Sequence, residues 1–235
     1  MRLSYLFVFI LFATTMQAES GFEANSFWDK ALKENVNDDG IVNYNGFRSN
    51  ASFAKAIELY ESSAPGHKWT REEKMAYWIN VYNAFTVQLI LDYYPVQSIT
   101  EIPNAWDKKF INIGDQVYTL NHIEHEILRP TYKDPRIHFA INCASFSCPK
   151  LHNKAFRAET LYKDLEMLTK EFVNDPKRNN LDGKNIKVSK LFEWYSEDFT
   201  KDQSVIDFVK KYADTPIESN AKLGYMKYNW DLNNR

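Results

Sequence analysis

The chain of 235 residues carries Lys+Arg 29 against Asp+Glu 31, a formal net charge of −2, with 44% hydrophobic and 15% aromatic residues. That length and apolar content fit one globular domain with a real core and exclude a disordered chain, while Gly 7 and Pro 8 exclude collagen-like or low-complexity repeats. Near-neutral charge offers no broad basic surface, so nucleic acid is not an expected partner, and Cys 2 is too few for a disulfide scaffold.

In chain order, Met1-Arg2, the apolar run Leu6 to Ala13 and the small and polar residues up to Ala18 read as a secretory signal peptide over 1–18. The run is too short for a membrane span and no later segment is apolar enough. The mature chain, 19–235, is therefore expected as a single periplasmic or secreted domain with no integral membrane span. Phe27, Trp28, Ala31 and Leu32 form a helical stripe stopped near Asp38-Asp39-Gly40. Ile41, Val42 and Tyr44 read as extended, and Phe53 to Tyr60 as a second helix. Thr70 and Glu73 make a capping box that opens a helix running to about Tyr94, where Pro95 stops it. This helix is apolar on nearly every face, which places it at the centre of the protein.

Phe110, Ile111 and Ile113 against Val117 and Tyr118 predict a hairpin around Gly114-Asp115. Thr119 caps a short helix to Arg129, Asp134-Pro135 is a turn, and Arg136 to Cys143 has strand composition. Leu161, Leu165, Leu168 and Phe172 mark an amphipathic helix ended by Asn174-Asp175-Pro176. A strand at Ile186 and Val188, two short helices over 191–199 and 204–212, and a last strand over 225–230 complete the reading. Helices and short strands mix without a βαβ rhythm. The expected fold is α+β: a central buried helix on a small, mostly antiparallel sheet, with peripheral helices.

WINVYNA (78–84), TLNHIEHEILR (119–129), DPRIHFAINCASFSCP (134–149) and WYSEDF (194–199) stand in that order, with NDDGIVNY near the start and YNWDLNN near the end. Together they resemble the family known as domain of unknown function 547, over almost the whole mature chain. The resemblance implies a single domain, found in many secreted bacterial proteins and attached to other domains in plants, without a settled activity. There is a weaker likeness to papain-like and transglutaminase-like folds, in which a central helix packs on a sheet carrying a histidine strand. The helix position that holds the cysteine in such enzymes falls here near Ile79 and Asn80, neither of which is a thiol nucleophile.

The candidate chemistry concentrates between 119 and 149. On a strand, His138 and Asn142 share a face, and Cys143 falls on the opposite one. Cys148 lies beyond the strand end, in a turn that can fold back toward His138. Three readings of Cys143 and Cys148 stand side by side: a disulfide across four residues, buried inert thiols, or a catalytic thiol. The resemblance adds Glu124, which the family motif repeats in the same place and which can pair with Arg129 or Arg136. His122, His125 and Glu126 lie within one helical turn, but their spacing is not a zinc motif, so they read as a solvated face and no metal or other cofactor is expected. Asn80 and Asn83 lie one turn apart in the most apolar helix, where an unpaired amide is costly, so they anchor a polar network or contact a ligand. Trp194, Tyr195 and Asp198 read as an aromatic–acid cluster that packs a short helix onto the body.

Two functions follow. One is a Cys/His-dependent hydrolase or acyl-transferase with His138, Cys148, Cys143 and Glu124 catalytic, and Asn80, Asn83, Asn142 and Arg136 contacting a small-molecule, peptide or glycan ligand. In it Asn142 or Glu124 orients the imidazole. The other is a non-catalytic binding or scaffolding domain that has lost the nucleophile.

Overall fold

The computed structural model describes residues 23–218 and 220–234, so the expected signal peptide lies outside the described residues. A helix covers 23–35 (α1), and the turn after it closes with Val36 bridged to Val42. Gly40 sits in this turn at φ +77°, where an added Cβ would meet the Lys150 Cβ at 2.4 Å. Only glycine combines that backbone angle with that approach. Two short-range caps follow. Asn43 accepts from the Gly46 amide to open α2 (Tyr44–Arg48), and Asn50 accepts from the Phe53 amide to open α3 (Ala51–Ser62).

The expected capping box is present at Thr70 and Glu73 and opens α4 (Arg71–Tyr93). Every residue of α4 from Met75 to Val87 is buried, so this helix is the axis of the core. Strands β1 (Ile111–Ile113) and β2 (Gln116–Tyr118) form the predicted hairpin around Gly114. Next come a helix over 120–132 (α5), a 3-10 turn over Pro135–Phe139, and α6 (Leu161–Asn174). Strand β3 (Asn185–Val188) precedes α7 (Leu191–Trp194), α8 (Ser196–Phe199) and α9 (Val205–Tyr212). Finally β4 (Lys222–Tyr225) pairs with β3 in parallel.

The α+β class holds, with a different arrangement of strands from the one expected. The hairpin is antiparallel and the β3–β4 pair is parallel, and the two are separate two-stranded units. The last strand starts at Lys222 and ends at Tyr225, earlier than the predicted 225–230. The helix axis therefore packs chiefly on other helices and loops, including α2, α3 and α5.

Asn80 and Asn83 take over the job of a missing sheet. The Asn80 amide donates to the Phe156 carbonyl and accepts from the Phe156 amide, both at 2.9 Å. Asn83 donates to the Ala140 carbonyl and accepts from the Asn142 amide, both at 2.8 Å. Each side chain thus mimics a peptide group and fastens an irregular segment to α4. Replacing Asn80 by Leu leaves both Phe156 backbone groups unpaired in the core, and is expected to cost on the order of 1–3 kcal/mol. Urea denaturation checks this; an unchanged midpoint would show that the amide carries no such bond.

Candidate functional site

The segment expected as a strand over 136–143 is a 3-10 turn followed by an irregular loop. Asp134 accepts from the Arg136 amide, and Pro135 occupies the first position of the turn. A side-chain cap followed by a proline initiates helical geometry, and this outweighs the strand-like composition that follows. His138 and Asn142 are therefore not two positions on one strand face. Asn142 points back to the Pro149 carbonyl and accepts from the Ala144 amide, which closes the cysteine loop on itself.

Within that loop Ala144 adopts φ +60°, a left-handed conformation that costs roughly 1–2 kcal/mol for a residue with a Cβ. The strain is held by bonds from outside. Residues 229–233 run back along the loop, so that Phe146, Ser147 and Asn233 exchange backbone hydrogen bonds with Asp231, Asn229 and Ala144. Arg178, paired with Asp175, donates to the carbonyls of Phe146 and Cys148, both at 2.9 Å.

This frame sets the two cysteines side by side, both as free thiols, with their sulfurs 2.8 Å apart. Cys143 is partly exposed and Cys148 buried. The Cys143 and Cys148 sulfurs share a hydrogen bond, Ser145 Oγ and Tyr228 Oη lie 3.3 Å from the Cys143 sulfur, and together these bonds outweigh burial and lower the Cys143 pKa to about 7. Burial and the neighbouring Cys143 sulfur push Cys148 the other way, well above the usual thiol range. One thiol is poised to ionise near neutrality and the other holds its proton.

His138, 2% exposed, donates from Nε2 to Asp198 Oδ2 at 2.6 Å. Burial opposes ionisation of Asp198, but its bonds to His138 and to Arg129 Nε (2.6 Å) hold the carboxylate well below its usual range. The group that orients the imidazole is thus Asp198, and neither Asn142 nor Glu124 fills that role. Tyr195 lies against the imidazole, its centroid 4.0 Å away, and presents its other surroundings to the Arg129 guanidinium at 5.1 Å. With Nε2 committed to a carboxylate, Nδ1 is the nitrogen left to exchange protons.

Glu124 is 3% exposed and pairs with neither arginine proposed for it. Arg129 is taken by Asp198 and by His125, and Arg136 by Asp134 and Glu166. Glu124 instead accepts from Tyr82 Oη at 3.1 Å through Oε2, and the Tyr195 side chain also hydrogen-bonds to this carboxyl. The helix that carries it is π-helical over His122–Leu128, the Arg129 amide bonding back to the Glu124 carbonyl. Pro130 follows directly and lacks an amide, so the preceding turn relaxes to the wider spacing.

A cavity of about 100 Å³ brings these groups together. His138, Cys143, Cys148 and Glu124 all line it, as do Tyr82 and Tyr195. Trp106, Trp194, Tyr228 and Trp230 form its aromatic side, with Trp194 48% exposed at the rim. Wider surface clefts of about 510 and 480 Å³ exist, but neither contains a cysteine. Asn80, Asn83, Asn142 and Arg136 do not line the cavity; the three amides support its walls, and Arg136 is tied to carboxylates elsewhere. His122 lies against Tyr118, and among the described residues no group of three or more His, Cys, Asp or Glu is placed to hold a metal.

Residues 67–173 match the family described as "Protein of unknown function, DUF547". Over this stretch the chain is similar to DUF547. The matched part of DUF547 contains α4, Glu124, His138 and both cysteines, but stops before Asp198, Trp194 and the tail over 229–233. The match is thus shorter than the whole-chain resemblance read from the motifs. No curated protein and no solved structure matches the chain, so no neighbour supports the papain-like or transglutaminase-like likeness. Among the described residues, no helix is long and apolar enough to cross a membrane.

Asp198 is the residue of the candidate site that sequence reasoning missed. WYSEDF was read as packing, although it recurs as one of the four linked motifs of the resemblance. The signal was an acid held in a motif with no local structural need for it.

Proposed function

We propose that this protein is an exported thiol-dependent hydrolase or acyl-transferase, with Cys143 as nucleophile and His138 as proton carrier. The observation that carries the reading is that one cavity holds both an acidified thiol and an imidazole seated on a carboxylate. The thiol proton passes to His138, and the Cys143 sulfur attacks an acyl carbon to form a thioester. The leaving group departs with the proton from His138. Water or an acceptor amine then gives a proton to His138, attacks the carbonyl and breaks the C–S bond, and His138 returns that proton to the departing sulfur, which restores the thiol. Asp198 stabilises the imidazolium in between.

p-Nitrophenyl acetate is the probe that tests this. Intact-mass analysis should find one acetyl group, mapped to Cys143, with a burst of nitrophenolate that the Cys143→Ser variant lacks. Acetylation confined to surface lysines would overturn the proposal. Export is checked separately: the exported protein should begin at Glu19 or within a few residues of it, and soluble cytoplasmic protein with Met1 intact would contradict it.

A second reading is favoured by the 2.8 Å between the two sulfurs. In an oxidising compartment the pair can close into a disulfide, giving two electrons and two protons to an oxidant such as a low-molecular-weight disulfide. Acylation that appears only after reduction supports both readings together. A protein inert before and after reduction leaves the non-catalytic binding domain.

A further inference from the structure

The polar tips around the Cys143 cavity are largely paired with one another, and what they leave free is carbon. Tyr82 and Tyr195 hydrogen-bond to the Glu124 carboxyl, Tyr228 Oη lies 2.8 Å from Ser145 Oγ, and His138 Nε2 is committed to Asp198. Among the described residues, no lysine or arginine lines the cavity. Its walls are instead Ile141, Leu191 and the rings of Trp106, Trp194, Tyr228 and Trp230. Trp194 stacks on Trp230 at 5.7 Å and Tyr228 packs on Trp230 at 4.5 Å, so the aromatic wall is preformed.

Charge and size together bound the occupant. An anionic group would enter beside Glu124 with no cation to meet it, and a cationic one would find that carboxyl already taken by two tyrosines. Either would be desolvated without a partner, which is costly. A cavity of roughly 150 Å³ takes a benzene ring of six carbons, so one of about 100 Å³ takes about four. Anything longer must pass the rim at Trp194, which is exposed.

We infer that this cavity is an acyl pocket that selects a short, uncharged acyl group of about four carbons for transfer to Cys143, with the leaving group outside against Trp194. The inference rests on the thiol reading of the same cavity and adds the substrate class to it. In the step it governs, the Cys143 sulfur bonds the acyl carbon, the carbon–oxygen bond of the ester breaks, and the leaving oxygen departs with the thiol proton.

The test compares p-nitrophenyl esters of increasing chain length on the reduced mature protein, read as nitrophenolate release and as the mass added at Cys143. Butyrate should acylate Cys143 roughly tenfold faster than acetate, since each buried methylene contributes about fourfold. Octanoate should fall at least about tenfold below butyrate, and so should the mono-succinate ester, which is close to butyrate in length but anionic. Leu191→Ala enlarges the pocket and should bring octanoate up toward butyrate. Should that variant fail to fold, alkyl methanethiosulfonates make the same comparison on the wild type, because the Cys143 thiolate displaces methanesulfinate and takes the alkylthio group without acyl chemistry. Butyl should then react faster than either methyl or octyl. Acylation of Cys143 at a rate indifferent to chain length, or octanoate or succinate equal to butyrate, overturns the pocket and leaves the thiol reading standing. Failure of every ester to acylate Cys143 overturns both.

Discussion

Iodoacetamide is expected to modify Cys143 in the native protein with a pH dependence centred near pKa 7, while Cys148 stays unmodified until the protein is unfolded. An ordinary thiol titrates near 8.5, so at pH 7 the thiolate fraction of Cys143 is roughly fifteenfold above that of a free cysteine. A more acidic thiol is also a weaker nucleophile, which reduces the net gain in rate to a few-fold. The midpoint is therefore the measurement that discriminates, and the rate alone is not. Donors that stabilise the anion lower the midpoint, so removing them must raise it. Cys148→Ala, which deletes the largest of these donors, should move the midpoint furthest, and Tyr228→Phe should move it by less. A wild-type midpoint near 8.5, or labelling of Cys148 before Cys143, would remove the physical basis for Cys143 as nucleophile.

What the sequence disclosed and what it concealed divide along the range of the forces involved. The capping box at Thr70 and Glu73, the stop at Pro95 and the all-round apolar surface of α4 are local or periodic features, and each appears as expected. The hairpin at Gly114 is likewise a short-range signal. The candidate site depends instead on contacts between distant segments. Asp198 reaches His138 across 60 positions, and Tyr228 reaches Cys143 across 85. No periodicity encodes such pairings. The region 136–143 misled for a related reason: its β-branched and aromatic residues suit a strand, but Asp134 and Pro135 impose a turn, and the Asn83 amide then supplies the hydrogen bonds a neighbouring strand would have given. The amides of α4 were legible as costly and hence purposeful. Their partners, two loop backbones, were not.

Replacing Asp198 by Asn should separate its part in the chemistry from its part in packing. The carboxylate accepts from both His138 and Arg129, and an amide of the same shape keeps the space filled while losing the charge. An imidazolium formed at His138 then has no counter-ion, and the ring is no longer held in the tautomer that leaves Nδ1 free. Acylation of Cys143 by p-nitrophenyl acetate is expected to slow by about 10²–10⁴-fold, with little change in apparent substrate affinity. Stability should respond with a defined sign. The folded-state pKa of Asp198 is depressed, so its contribution is fully present above the ordinary carboxylate range and is lost as pH falls through that range toward the lower folded value. Melting temperature measured from pH 6 downward should therefore fall more steeply below about pH 4 in the wild type than in Asp198→Asn. The side chain is 28% exposed, and solvent screening limits the loss at neutral pH to on the order of 1 kcal/mol. A structural role alone predicts that small loss of stability without the kinetic effect. If the variant reacts as fast as the wild type, Asp198 serves only to fasten α8 to the body, and His138 is without the partner the mechanism requires.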